Sequence, residues 1–131
     1  MYDFKDDFKT NIEFVDEQHK RLFQIADEIY LLLTDEFLVD KYDKIVDLIN
    51  ELHDYTVFHF TAEEKYMTSI NYIGLPEQKR QHKLFVDKLA NVNLNDVDDK
   101  QDEYIKELLS FVNTWLIEHI YQKDKLIPNH Q

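Results

Sequence analysis

His59 and Glu63 stand four residues apart in the stretch H-F-T-A-E-E-K-Y-M, residues 59–67. In a helix this spacing stacks an imidazole and a carboxylate on one face, one turn above the other. A single pair of this kind is more often a half-buried histidine beside a solvated carboxylate than a metal site. Three further segments change that balance, because each puts the same kind of donor on an apolar face: His19 in the first, Gln78 and His82 in the third, His119 and Asp124 in the fourth. A carboxylate at position 63 of an apolar stripe is costly to bury alone, and a cation is its simplest partner. The chain has no cysteine, so such a cation must be held by nitrogen and oxygen.

The elements that position these residues follow from the apolar periodicity. Residues 1 to about 16 mix aromatic and charged residues with no helical period, which predicts an extended arm anchored by Phe4, Phe8, Ile12 and Phe14. Leu22, Phe23, Ala26, Ile29, Tyr30 and Leu33 recur with His19 at helical spacing and predict a first helix over about 17–36, capped by Asp16. Ile45, Leu48, Ile49, Leu52, Thr56, His59, Phe60, Glu63 and Met67 predict a long second helix over about 40–70, opened by Asp40. Glu64 falls off that stripe and reads as solvated, as does His53.

Gly74 and Pro76 signal a stop and a start, and Gln78, His82, Phe85, Val86 and Leu89 line the inner face of a third helix over about 76–91. After the acidic loop N-V-N-L-N-D-V-D-D-K, Leu108, Phe111, Val112, Trp115, Leu116, His119 and Ile120 predict a fourth helix over about 99–125. The expected architecture is therefore all-α, a single-domain antiparallel up-down-up-down four-helix bundle preceded by the arm. Successive helices reverse, so donors placed at start, end, start and end of the four all fall at one end of the bundle.

Composition narrows the function classes. With 27 acidic and 15 basic residues the formal charge is -12, which disfavours nucleic acid and anionic membrane surfaces as partners. The polar start carries no signal-peptide pattern, no apolar run is long enough to span a membrane, and a cytoplasmic monomer is the expectation. One glycine and two prolines leave no phosphate loop and no G-x-S-x-G elbow. Neither E-x-x-H, the ferritin-like di-iron signature, nor H-E-x-x-H, that of a zincin, occurs.

What does occur, in order, is D-E-Q-H around His19, H-F-x-x-E-E-x-x-M from His59, H-K-L-F from His82 and W-L-I-E-H-I-x-x-x-D from Trp115 to Asp124. This series resembles the hemerythrin family, specifically its single-domain bacterial members, over nearly the whole chain. The resemblance implies reversible dioxygen binding at two irons joined by an oxo or hydroxo bridge. By motif, His19 and His59 would hold the iron with an open position, His82 and His119 the other, and Glu63 and Asp124 would bridge both. Leu22, Phe60, Trp115, Leu116 and Ile120 would form a dry pocket around the oxygen. In the arm, Phe4 stands where bacterial members commonly carry Trp, and Asn11 where they commonly carry Gly.

One position departs from the family pattern. The third helix normally presents two histidines four apart, and here the first is Gln78. Its amide leaves two roles open: a weak oxygen donor to iron, or a hydrogen-bond partner of the ligands. A freed coordination position opens an alternative function, a di-iron peroxidase or oxidase, or a protein reacting with nitric oxide. A metal-free interaction bundle is the remaining class, and it would leave Glu63 and Asp124 buried without a cation.

Overall fold

The computed structural model describes residues 9–91, 100–122, 124 and 127. Four helices carry almost all of them: α1 (Glu13–Thr34), α2 (Tyr42–Ser69), α3 (Leu75–Ala90) and α4 (Gln101–Gln122). They form an up-down-up-down bundle in which α1 packs on α2 and α4, and α2 packs on α3. Large aromatic side chains close the seam between α3 and α4, where the rings of Phe85 and Phe111 stack with centroids 5.1 Å apart. No strand occurs among the described residues.

The start of α1 differs from the sequence expectation. Asp16 does not precede the helix but lies inside its first turn, and its carboxylate reaches back over the entering chain. It accepts from Thr10 N at 2.7 Å, Thr10 Oγ1 at 2.8 Å and Asn11 N at 3.1 Å. Asn11 takes a left-handed φ of 66°, a conformation that asparagine tolerates better than most residues. That reversal lets Glu13 begin the helix, so residues 13–16 belong to α1 rather than to an arm. Phe4 and Phe8 lie outside the described residues.

The α2–α3 connection falls where Gly74 and Pro76 signal it, between Ser69 and Leu75. The residue that turns left-handed is Asn71, with φ 55°, whereas Gly74 has an ordinary negative φ of -81°. Tyr72 N donates to Met67 O at 2.9 Å and Asn71 N to Thr68 O at 3.2 Å, a Schellman closure of α2. Gly74 is needed for a different reason: a Cβ there would lie 2.6 Å from Cε2 of the Tyr72 ring.

At the opposite end of the bundle the α1–α2 loop is tied to α4. The backbone N–H of Lys41 donates to Gln101 Oε1 at 2.7 Å, and Lys41 Nζ donates to Leu33 O at 3.2 Å and Asp102 Oδ1 at 3.0 Å. Asp40 is not the cap expected of it, since Lys41 holds that position, but one residue earlier its carboxylate accepts from Tyr42 N at 3.0 Å and from Gln101 Nε2 at 2.9 Å.

The apolar interior is divided. A main cluster, including Leu22, Phe23, Leu52, Phe60, Phe85 and Leu116, fills most of the bundle. A smaller one, Ile12, Val15, Met67, Tyr72 and Ile127, closes the end where α1 begins and α2 stops. Between them runs a layer of buried polar side chains.

Candidate metal centre

The polar layer consists of His19 from α1, His59 and Glu63 from α2, Gln78 and His82 from α3, His119 from α4, and Asp124, in 3₁₀ conformation beyond α4. None of the seven is more than 3% exposed. Each helix brings its donors to this level between flanking apolar turns, Val15 and Leu22 around His19, and Phe60 and Met67 around Glu63. The alternation of start and end that the sequence implied thus puts every expected donor at one level. The fourth helix is shorter than expected: Asp124 follows it rather than riding on it.

The two carboxylates divide their oxygens between two histidine pairs. Glu63 Oε2 lies 3.2 Å from His59 Nε2 and 3.6 Å from His19 Nε2, while Glu63 Oε1 lies 3.2 Å from His82 Nε2. Asp124 Oδ2 is 3.1 Å from His19 Nε2, and Asp124 Oδ1 is 3.2 Å from His119 Nε2. Two overlapping clusters result: His19, His59, Glu63 and Asp124 in one, and Glu63, His82, His119 and Asp124 in the other, with each set's ligand atoms within 4.8 Å of one another.

The outer ring nitrogens decide the protonation. His59 Nδ1 meets Gln18 Oε1 at 2.7 Å, His82 Nδ1 meets Glu64 Oε2 at 2.8 Å, and His119 Nδ1 meets Gln81 Oε1 at 2.7 Å. All three partners are acceptors, so Nδ1 donates, and in the neutral ring Nε2 turns a bare lone pair inward. His82 Nε2 and His119 Nε2 then face each other at 3.2 Å, an arrangement that calls for a shared proton or a cation. Both oxygens of Glu63 and Asp124 Oδ2 are buried facing imidazole nitrogens, and Gln78 Oε1 is buried with no hydrogen-bond donor. Nitrogen and oxygen donors converging in this way suit iron or another borderline transition metal.

Electrostatics point the same way. Burial alone would depress the His19 imidazole, yet the hydrogen bonds and charges of Asp124 and Glu63 outweigh it and push its pKa up to about 9. Burial opposes ionisation of Glu63, but the facing histidines hold its carboxyl well below the usual range; Asp124 is lowered by His119 and His19 in the same manner. His59 is the exception, its pKa lowered mainly by desolvation. Two anionic carboxylates buried in apolar surroundings constitute a cation receptor.

Phe60 stacks face to face on His82 with centroids 4.0 Å apart, and Trp115 on His119 at 4.3 Å. Leu22, Leu116 and Ile120 are fully buried in the main cluster beside them, while Trp115 is only partly buried. Gln78 joins the layer by donating from Nε2 to Asp124 Oδ1 at 2.9 Å. His53 lies at the surface beside Asp54.

Three supporting residues escaped the sequence reading. Glu64, read as solvated, is the partner of His82, because a residue one step beyond Glu63 turns about 100° toward the seam with α3. Gln18 and Gln81 act in the same way: each directly precedes a histidine and supports a histidine of another helix. The Q-H dipeptide, present twice, was the available signal.

A four-helix bundle with two overlapping four-donor clusters in its interior falls, as a class, among the metal-binding helical bundles. The chain belongs to the hemerythrin family: the family's model, "Hemerythrin HHE cation binding domain", matches residues 10–128. It is 47% identical to the bacteriohemerythrin of Clostridium acetobutylicum over 125 residues, covering 95% of this chain and 97% of that protein. Identity to the bacteriohemerythrin of Pseudomonas paraeruginosa is 34%, over 92% of this chain and 75% of that one. A wild-type hemerythrin crystal structure superposes with a TM-score of 0.74 at 27% identity, covering 92% of this chain and 89% of the other.

Proposed function

We propose that this chain is a non-haem di-iron protein that binds dioxygen reversibly, as a carrier, store or sensor. The observation that carries the reading is the division of Glu63 and Asp124, each presenting one oxygen to each of two histidine pairs. A single cation would need one such cluster, whereas two clusters sharing both carboxylates suit a pair. Membership of the hemerythrin family supports iron as the metal. His19 and His59 would hold one ion, His82 and His119 the other, and Glu63 and Asp124 would bridge them. Two ferrous ions held there would supply the electrons for reversible dioxygen binding.

The chain's own residues set the conditions for reversibility. Gln18, Glu64 and Gln81 fix the ring orientations of His59, His82 and His119 by accepting from Nδ1, so that Nε2 points inward. Phe60 and Trp115 cover the faces of His82 and His119, and Leu22, Leu116 and Ile120 surround them with carbon. Water and protons, which would convert bound oxygen to released peroxide, are kept away.

The test is metal analysis joined to the visible spectrum of the anaerobically reduced protein before and after air is admitted. Two irons per chain, with an absorption band that appears in air and vanishes when oxygen is removed, is the expected result. An irreversible change, followed by repeated turnover of peroxide with a reductant, would replace reversible binding with peroxidase or oxidase chemistry. Absence of bound metal would overturn both.

A further inference from the structure

Gln78 is 2% exposed, and its Nε2 donates to Asp124 Oδ1, the same oxygen that faces His119 Nε2. The amide orientation is set by chemistry: turned the other way, Oε1 would oppose a carboxylate oxygen, two acceptors in contact. Asp124 has particular need of such a partner, because it lies beyond the last turn of α4, in 3₁₀ rather than α-helical backbone. What steadies it from the chain side is the turn closed by Ile127 N donating to Asp124 O at 3.1 Å, with Ile127 buried in the smaller apolar cluster. From the opposite side Gln78 donates an amide N–H to it, next to the imidazoles of His19 and His119 that would hold metal. The donor inventory is the second relevant fact. Each cluster holds two imidazoles and shares the same two carboxylates, so the two metal positions are matched in protein donors.

We propose that Gln78 is a positioning residue that clamps Asp124 in its bridging orientation, one oxygen toward each histidine pair, and thereby keeps two donor-matched metal positions in place of a three-histidine and a two-histidine position. The proposal rests on the di-iron reading above. An N–H donated to a carboxylate is a charge-assisted bond, strong enough to select one orientation of a side chain that lies beyond the α-helix. A metal on the other lone pair of Oδ1 leaves that bond intact, since a carboxylate oxygen has two acceptor sites.

The experiment is an anaerobic titration of the metal-free protein with cobalt(II), whose visible absorption reports its donor set. It is run on the native chain, Gln78→Met and Gln78→His, with helical circular dichroism recorded for each. The native chain should take up two ions. Gln78→Met keeps the bulk and loses the N–H, and the second ion should bind 10- to 100-fold more weakly. Gln78→His should give an altered cobalt spectrum, from an added nitrogen donor, without regaining the native affinity of both positions. Two ions bound by Gln78→Met within twofold of the native affinities would overturn the clamp while leaving the di-iron reading intact. A Gln78→His protein with native spectrum and affinities would also overturn it, because the identity of the side chain at position 78 would then leave both metal positions unchanged; this arm decides if Gln78→Met does not fold. Failure of the native chain to bind cobalt would overturn the di-iron reading, and the clamp with it.

Discussion

The donor residues that meet in the polar layer were readable from spacing and motif, but the side chains that back them were not. His59 and His119 are backed by neutral amides, and His82 by the carboxylate of Glu64. An anionic acceptor makes the imidazole a stronger donor than an amide does, so the cluster that lacks a third histidine has one imidazole reinforced. Glu64→Gln should weaken the ion held by His82 and His119 by 10- to 100-fold and leave the other nearly unchanged, measured by metal titration. Equal weakening of both would show that the carboxylate acts on the whole site instead. Phe60→Ala removes the ring stacked on His82 and should cost about 3–5 kcal/mol of stability by denaturant unfolding. Periodicity could place Glu63 on the inner face; it could not show Glu64 reaching across to another helix, because that bond depends on how α2 and α3 lie together.

At the scale of elements, existence and order were readable while ends were not. Helix ends depend on side chains folding back on the chain, as Asp16 does over Thr10 and Asn11, and such returns leave no periodic trace. The α2–α3 connection shows the same thing: glycine is the usual marker of a left-handed turn, yet Asn71 makes it and Gly74 makes room for Tyr72. Gly74→Ala should therefore lower stability by about 1–3 kcal/mol through displacement of that ring, a cost of overpacking rather than of backbone strain. Asn71→Gly should hold or raise the melting temperature, and Asn71→Val should lower it.

Asp40 supplies a pH dependence. Its carboxyl is lowered below 3.8 by Tyr42 N–H and Gln101, so its contribution is present above that pH and is lost as the pH falls through the folded value. Asp40→Ala should be less stable than the native chain at neutral pH, with the difference closing at acid pH.

For the molecule as a whole, the topology was readable because alternating helix direction and alternating donor position are one statement made twice. The division of the interior was not, since assigning Val15 and Met67 to one cluster and Leu22 and Phe60 to another requires knowing how the ends close. A layer of carboxylates and histidines between two apolar clusters costs stability without a cation, so metal removal should lower the melting temperature. Restoration should depend on metal concentration, about 2.7 kcal/mol at a hundredfold excess over Kd. A melting temperature indifferent to metal would contradict this. The position of Asp124 has a further consequence for biosynthesis. It is the last of the seven residues of the polar layer along the chain, and the turn that steadies it closes at Ile127. A nascent chain therefore offers an incomplete receptor until residue 124 has emerged from the ribosome. The polar layer closes only once residue 124 is free to fold back, so on the di-iron reading proposed above metal capture would follow the emergence of that residue rather than precede it.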